Sequence, residues 1–179
     1  MSDEELMRFC AENDFLRVER DANGEILVMT PAGSRTSHIN SRITRLLDEW
    51  AEQDGRGITF DSNGGFSLPD GSMRAADAAW VDKRRWDALS AKDQARFAPL
   101  CPDFVIELRS ANDRLSELEA KMELWIANGA KLGWLIDPEN RTVYVYRPAD
   151  SADVLHHPTS VQGSGVVAGF ELVMARIWD

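Results

Sequence analysis

The stretch Pro102-Asp103-Phe104-Val105-Ile106-Glu107-Leu108-Arg109 restricts the fold of this chain more than any other. Its β-branched and aromatic content reads as a strand. With a period of two, Asp103, Val105, Glu107 and Arg109 share one face, while Phe104, Ile106 and Leu108 share the other. Ionised carboxylates within so apolar a strand are costly to bury without a partner or a metal. Any fold for the chain must therefore bring something to meet them.

Separation along the strand decides what that partner cannot be. Residues four apart lie about 13 Å from each other, whereas magnesium sits about 2.1 Å from its oxygens, so Asp103 and Glu107 cannot share one ion. Asp103 reads as a strand-start residue. The best partner for Glu107 is Asp77 in Arg74-Ala75-Ala76-Asp77-Ala78-Ala79-Trp80-Val81, because its own face otherwise holds only Ala75, Ala79 and Val81. If the two strands pair, about 4.8 Å apart, both carboxylates can reach one cation. Arg109, about 7 Å beyond Glu107 on the same face, supplies a fixed positive charge for a phosphate oxygen. Lys121 adjoins Leu118 and Trp125 in a helical lattice, at the border of an apolar stripe from which its ammonium can reach the sheet.

The rest of the chain supplies the frame. A short helix over 3–12 is followed by a hairpin, Phe15 to Arg20 and Glu25 to Met29, over the turn Asp21-Ala22-Asn23-Gly24. Ile39, Ile43, Leu46, Leu47 and Trp50 recur at helical spacing, which predicts a long helix to about Gln53 with Thr36 or Ser37 as N-cap. Short strands around 58–61, 65–68 and 74–81 suggest a meander, and two short helices follow, the second capped by Ser90. After the acidic strand, Ser110 or Asn112 caps a helix whose stripe is Leu115, Leu118, Met122, Trp125 and Ile126, ending at Gly129. A hairpin over 131–147 and a final apolar strand within 166–178 complete one α/β (α+β) domain spanning 1–179.

Composition narrows the function. The chain has 179 residues, 44% of them hydrophobic, enough for one core. No run approaches the ~18 apolar residues of a membrane span and the acidic start does not resemble a signal peptide, so no membrane partner and a cytoplasmic location are expected. Two cysteines and three histidines do not have zinc-site spacing, and His156-His157-Pro158 reads as a loop. A formal charge of −10 argues against global electrostatic binding of nucleic acid, though not against a local cationic groove. The six tryptophans are expected in or near the core.

Phe60-Asp61-Ser62, Gly65-Phe66, Asp77-Ala78-Ala79-Trp80-Val81, the 102–110 segment, Lys121 and Gly133-Trp134-Leu135-Ile136-Asp137-Pro138 together resemble the Uma-two family, nucleases of the PD-(D/E)XK superfamily. The resemblance runs from the long helix to about Arg147. It implies a restriction-endonuclease-like fold, a central mixed sheet flanked by helices, and a magnesium site of Asp77 and Glu107, with manganese as an alternative ion. Arg109 would stand where the superfamily has its lysine, and Lys121 would match a lysine on the following helix. Two positions depart from the pattern: Ala76 replaces a proline, and Arg109 cannot serve as a base as lysine can. His38 and Asn40 occupy a region that often contributes another acid.

The expected function is magnesium-dependent endonucleolytic hydrolysis of DNA, with Asp77 and Glu107 on the metal, Arg109 and Lys121 on the phosphate, and Arg35, Arg42, Arg45 and Arg74 along the DNA backbone. A homodimer is compatible with it. The alternatives are a non-catalytic nucleic-acid or protein-interaction module retaining the fold, and a hydrolase of another phosphorylated substrate.

Overall fold

A computed structural model describes residues 1–13, 16–29 and 31–178. Phe15, expected to open the first strand, lies outside them. Helix α1 (Asp3–Glu12) is closed by a capping box in which Ser2 Oγ accepts from the Glu5 amide and Glu5 accepts from the Ser2 amide. Strands β1 (Arg17–Arg20) and β2 (Ile26–Met29) then form the anticipated hairpin; Asp21 accepts from the amides of Asn23 and Glu25, and Gly24 takes a positive φ of 88°. Helix α2 (Ser34–Asp54) buries Ile39, Ile43, Leu47 and Ala51, one stripe at a spacing of four. It starts before the expected caps, at Gly33, with no side-chain cap.

Strands β3 (Gly57–Asp61), β4 (Gly65–Ser67), β5 (Met73–Ala75) and β6 (Ala78–Asp82) do not form a meander. The expected continuous strand over 74–81 breaks at Ala76-Asp77, and its halves enter different sheets. Strand β5 joins the hairpin in a four-stranded sheet ordered β2-β1-β5-β4, whereas β6 pairs with β3. Asp77 sits at the corner between them.

Past the short helices α3 (Lys83–Asp87) and α4 (Ala91–Gln94) comes β7 (Phe104–Leu108), the acidic strand. Helix α5 (Leu115–Ala127) crosses over to β8 (Leu132–Asp137), which runs parallel to β7; β9 (Thr142–Tyr146) and β10 (Asp153–His156) continue antiparallel. Neither Ser110 nor Asn112 caps α5; the helix follows Arg114. The central sheet is thus mixed, ordered β10-β9-β8-β7-β6-β3. The tail is a small β11 (Ser160–Gln162) and β12 (Glu171–Val173) hairpin and a terminal α6 (Ala175–Trp178), so its one expected strand pairs locally and stays outside the main sheet.

Both faces of the central sheet are covered, as its parallel pair requires. On one face Phe104, Ile106 and Leu108 pack with Trp80, Trp134, Phe170 and the α2 stripe. On the other, Val105 and Leu135 pack with Met122 and Trp125 of α5. The period of two therefore aims Glu107 at α5.

Candidate active site

The antiparallel register of β6 on β7 pairs Ala78 with Ile106 and Ala79 with Val105, so one step further places Asp77 opposite Glu107. Asp77 Oδ2 accepts from the Leu108 amide at 2.8 Å, which fixes the corner to the acidic strand. Glu107 is 3% exposed. Its Oε1 accepts from the Trp125 indole at 2.9 Å and lies 3.0 Å from Lys121 Nζ. Trp125 and Lys121 are four apart on α5, so one helical face delivers both donors to one carboxylate.

Lys121 Nζ also donates to Glu19 Oε1 and to the Ala75 carbonyl, each at 2.9 Å. Glu19, on β1, is itself buried and accepts from Arg74 at 2.9 Å and from the Ala75 amide at 3.2 Å. Asp77, Glu107 and Lys121 line one cavity of about 420 Å³, walled by Val28 and Met29 at the end of the hairpin, by Pro31 beyond it and by Ser110 to Asp113 before α5.

Burial pushes the Glu107 carboxyl up to about 7; Lys121 opposes the rise, and the carboxylates of Asp77 and Glu19 add to it. Burial likewise raises Asp77 against the pull of Lys121, the Leu108 amide and Arg17. Burial would discharge Lys121, but Glu107, Glu19 and Asp77 outweigh it and hold the ammonium above its ordinary value. For Glu19 too, burial is overcome, by Lys121 and Arg74, and its carboxyl falls below the usual range. The cluster thus sets a firmly charged Lys121 among Asp77 and Glu107, whose ionisation burial opposes, and Glu19, whose ionisation Lys121 and Arg74 favour.

Other residues singled out in the sequence lie elsewhere. Arg109 follows the last residue of β7 and turns away: Nη1 meets Asp137 Oδ2 at 2.6 Å and Nε donates to the Asp113 carbonyl. It lines a neighbouring cavity with Arg35 rather than the one holding Glu107. Arg74 is sequestered by Glu19, which removes it from the DNA-facing set. Arg35, Arg42 and Arg45 lie on α2, where Arg42 donates to the Arg176 carbonyl at 2.8 Å and Arg45 pairs with Glu49. Asp103 has a structural task, accepting from the Asp82 amide at 2.9 Å and from Arg85 at 2.7 Å. Asn40 borders a polar recess beyond Asp61, not the acidic cavity, and His156 lies beside Thr142 at 3.4 Å. Sequence reasoning missed Glu19 and Arg17. The alternation Arg17-Val18-Glu19-Arg20, with a charge on each side of a core valine, was the available signal.

The donor set suits magnesium better than a metal that needs a closed cage. Among the described residues no three Asp, Glu, His or Cys side chains group to hold an ion, but magnesium keeps several waters and takes only one or two carboxylates. Among the described residues the cation paired with Asp77 Oδ1 is Arg17, at 4.0 Å. Glu107 Oε2 makes no hydrogen bond among the described residues.

The family model described as "putative restriction endonuclease", Uma2, matches residues 3–175. The chain belongs to this family. Among solved structures it is similar to a crystal structure titled a putative nuclease belonging to DUF820, from Anabaena variabilis, with a TM-score of 0.76 and 20% identity over 90% of this chain and 89% of that one. That likeness establishes the nuclease-like mixed α/β fold. No curated protein matches the chain. No helix among the described residues is long and apolar enough to cross a membrane.

Proposed function

We propose that this Uma2 protein is a magnesium-dependent endonuclease that hydrolyses DNA phosphodiester bonds, with manganese able to replace magnesium. The observation that carries the reading is the meeting of Asp77 and Glu107 across the β6–β7 register beside Lys121 in one cavity. Asp77 and Glu107 would hold the ion, which when bound supplies Lewis-acid activation of water and neutralises charge on the scissile phosphate. The Leu108 amide holds Asp77 and the Trp125 indole holds Glu107, so neither carboxylate needs to reorganise. Lys121 stays protonated; it can donate to a phosphate oxygen or orient the water but cannot take its proton. Attack of water on phosphorus forms one P–O bond as another breaks; the water's proton passes to solvent, and a phosphomonoester and an alcohol, its oxygen protonated from solvent, are left. Arg35, Arg42 and Arg45 on α2 are the candidates for the flanking backbone.

One observation favours a second reading, a module that binds without cleaving. Lys121 donates to Glu19 and to the Ala75 carbonyl and forms an ion pair with Glu107, contacts that a purely structural ion cluster would also make. The test is cleavage of mixed DNA and RNA substrates by wild type, Asp77→Asn and Glu107→Gln with magnesium, manganese or EDTA. The endonuclease reading expects DNA cleavage that needs the metal and both acids. Wild type inert under every condition would leave the binding module.

A further inference from the structure

We propose that Arg17, carried by the N-terminal hairpin outside the central sheet, forms the phosphate subsite of the acidic cavity and contacts a non-bridging oxygen of the bound phosphodiester. The inference rests on the reading of that cavity as a phosphodiester site and adds a residue to Asp77, Glu107 and Lys121.

Three observations converge on Arg17. First, the described residues lining the cavity include only two cations, Arg17 and Lys121. Lys121 donates to Glu19 and the Ala75 carbonyl and its charge is paired with Glu19 and Glu107, and Arg109 is committed to Asp137 outside the cavity. A phosphate entering beside two carboxylates needs a cation that is not already spent on them.

Second, Arg17 is under-used. Its guanidinium has five N–H donors, of which one bonds the Ser62 carbonyl at 2.7 Å. Its approach to Asp77 Oδ1, at 4.0 Å, is a loose ion pair. Nε is sheltered from solvent and has no partner among the described residues. The side chain is still 38% exposed, so its remaining donors can reach a ligand. A planar guanidinium with uncommitted donors suits a phosphate oxygen.

Third, Arg17 is held in place without being consumed. It lies on the same strand face as Glu19, two residues away, and Glu19 is fixed by Lys121 and Arg74. The opposite face is anchored by Val18 against Leu6 and Met73. The ion cluster therefore sets the strand, and the strand sets the guanidinium beside Asp77. On this account the hairpin completes the site by supplying both the acid that orients Lys121 and the cation that receives the substrate.

The competing role is a tether between β1 and the turn after β3 through the Ser62 carbonyl, and the experiment is chosen to separate the two. Full-length wild type, Arg17→Met and Arg17→Lys are compared for binding of a short fluorescent DNA duplex, with calcium replacing magnesium, over a series of salt concentrations. Melting midpoints and magnesium-dependent cleavage are measured alongside. A lost phosphate contact should weaken binding about tenfold and reduce the salt slope by about one ion. Arg17→Lys should recover the slope but not the full affinity, because lysine keeps the charge and loses the fork. Unchanged affinity and slope in Arg17→Met would overturn the subsite, as would a binding loss that merely follows a fall in melting midpoint and is not recovered by lysine. The nuclease reading fails separately: wild type that binds but does not cleave, with the slope still lost in Arg17→Met, keeps the subsite and rejects catalysis. Wild type that binds no DNA rejects both.

Discussion

Glu107→Gln should gain stability over wild type as the pH rises, in the absence of metal. Burial pushes the Glu107 carboxyl from an ordinary 4.5 up to about 7. Between those values the folded protein keeps a proton that the unfolded chain has released. The stability tied to this group is therefore fully present below pH 4.5 and is lost as pH rises through about 7. At roughly 1.4 kcal/mol for each tenfold change in proton affinity, the loss is about 3 kcal/mol. Glutamine has nearly the same volume and does not titrate, so the difference between variant and wild type should move by that amount in the variant's favour. In a chain of this size it corresponds to roughly 6–12 °C in Tm. Urea denaturation of both proteins in EDTA at a series of pH values measures it. The difference is the observable because Glu19, held low by Lys121 and Arg74 despite burial, gives a slope of opposite sign in both proteins. Magnesium should offset most of that difference, stabilising wild type by about 2.7 kcal/mol at 100 times its Kd and leaving the variant unmoved. A stability difference that stays flat across the window would refute the argument that burial strains this carboxyl.

Lys121→Met leaves the buried Glu107 and Glu19 without their shared ammonium and should cost about 3–5 kcal/mol at neutral pH, less in acid, by chemical denaturation. Arg109→Ala removes the guanidinium from fully buried Asp137, which retains Asn140 as a partner; a loss on the order of 3 kcal/mol is expected with the magnesium-dependent Tm shift intact, and loss of that shift would return Arg109 to the site. Gly57→Ala would place a Cβ 2.1 Å from the Trp80 ring, so destabilisation of about 1–3 kcal/mol or more is expected, read as a lowered urea midpoint.

The sequence by itself determined the local elements and the identity of the central pair. The stripe of Ile39, Ile43 and Leu47, the turn at Asp21 to Gly24 and the alternation through Phe104 to Leu108 are short-range patterns, and each formed close to where its period placed it. Asp77, Glu107 and Lys121 were legible because an acid or a lysine within an apolar frame is conspicuous. What no local pattern carries is where a strand stops and which sheet it joins. The two-residue rule that put Arg109 beside Glu107 holds only while the backbone stays in the strand. The strand ends at Leu108, and the buried carboxylate of Asp137, brought alongside by β8, takes the guanidinium. The break at Ala76-Asp77 sends β5 to the hairpin and β6 to the main sheet, a choice between pairing partners distant in sequence. That same non-local pairing carries Glu19 to Lys121, 102 residues away, buries Arg74 against Glu19 and sets Arg17 beside Asp77. Tertiary structure decided these because a buried charge goes to whichever opposite charge the packing brings within reach, and that distance is set by sheet registry rather than by position along the chain.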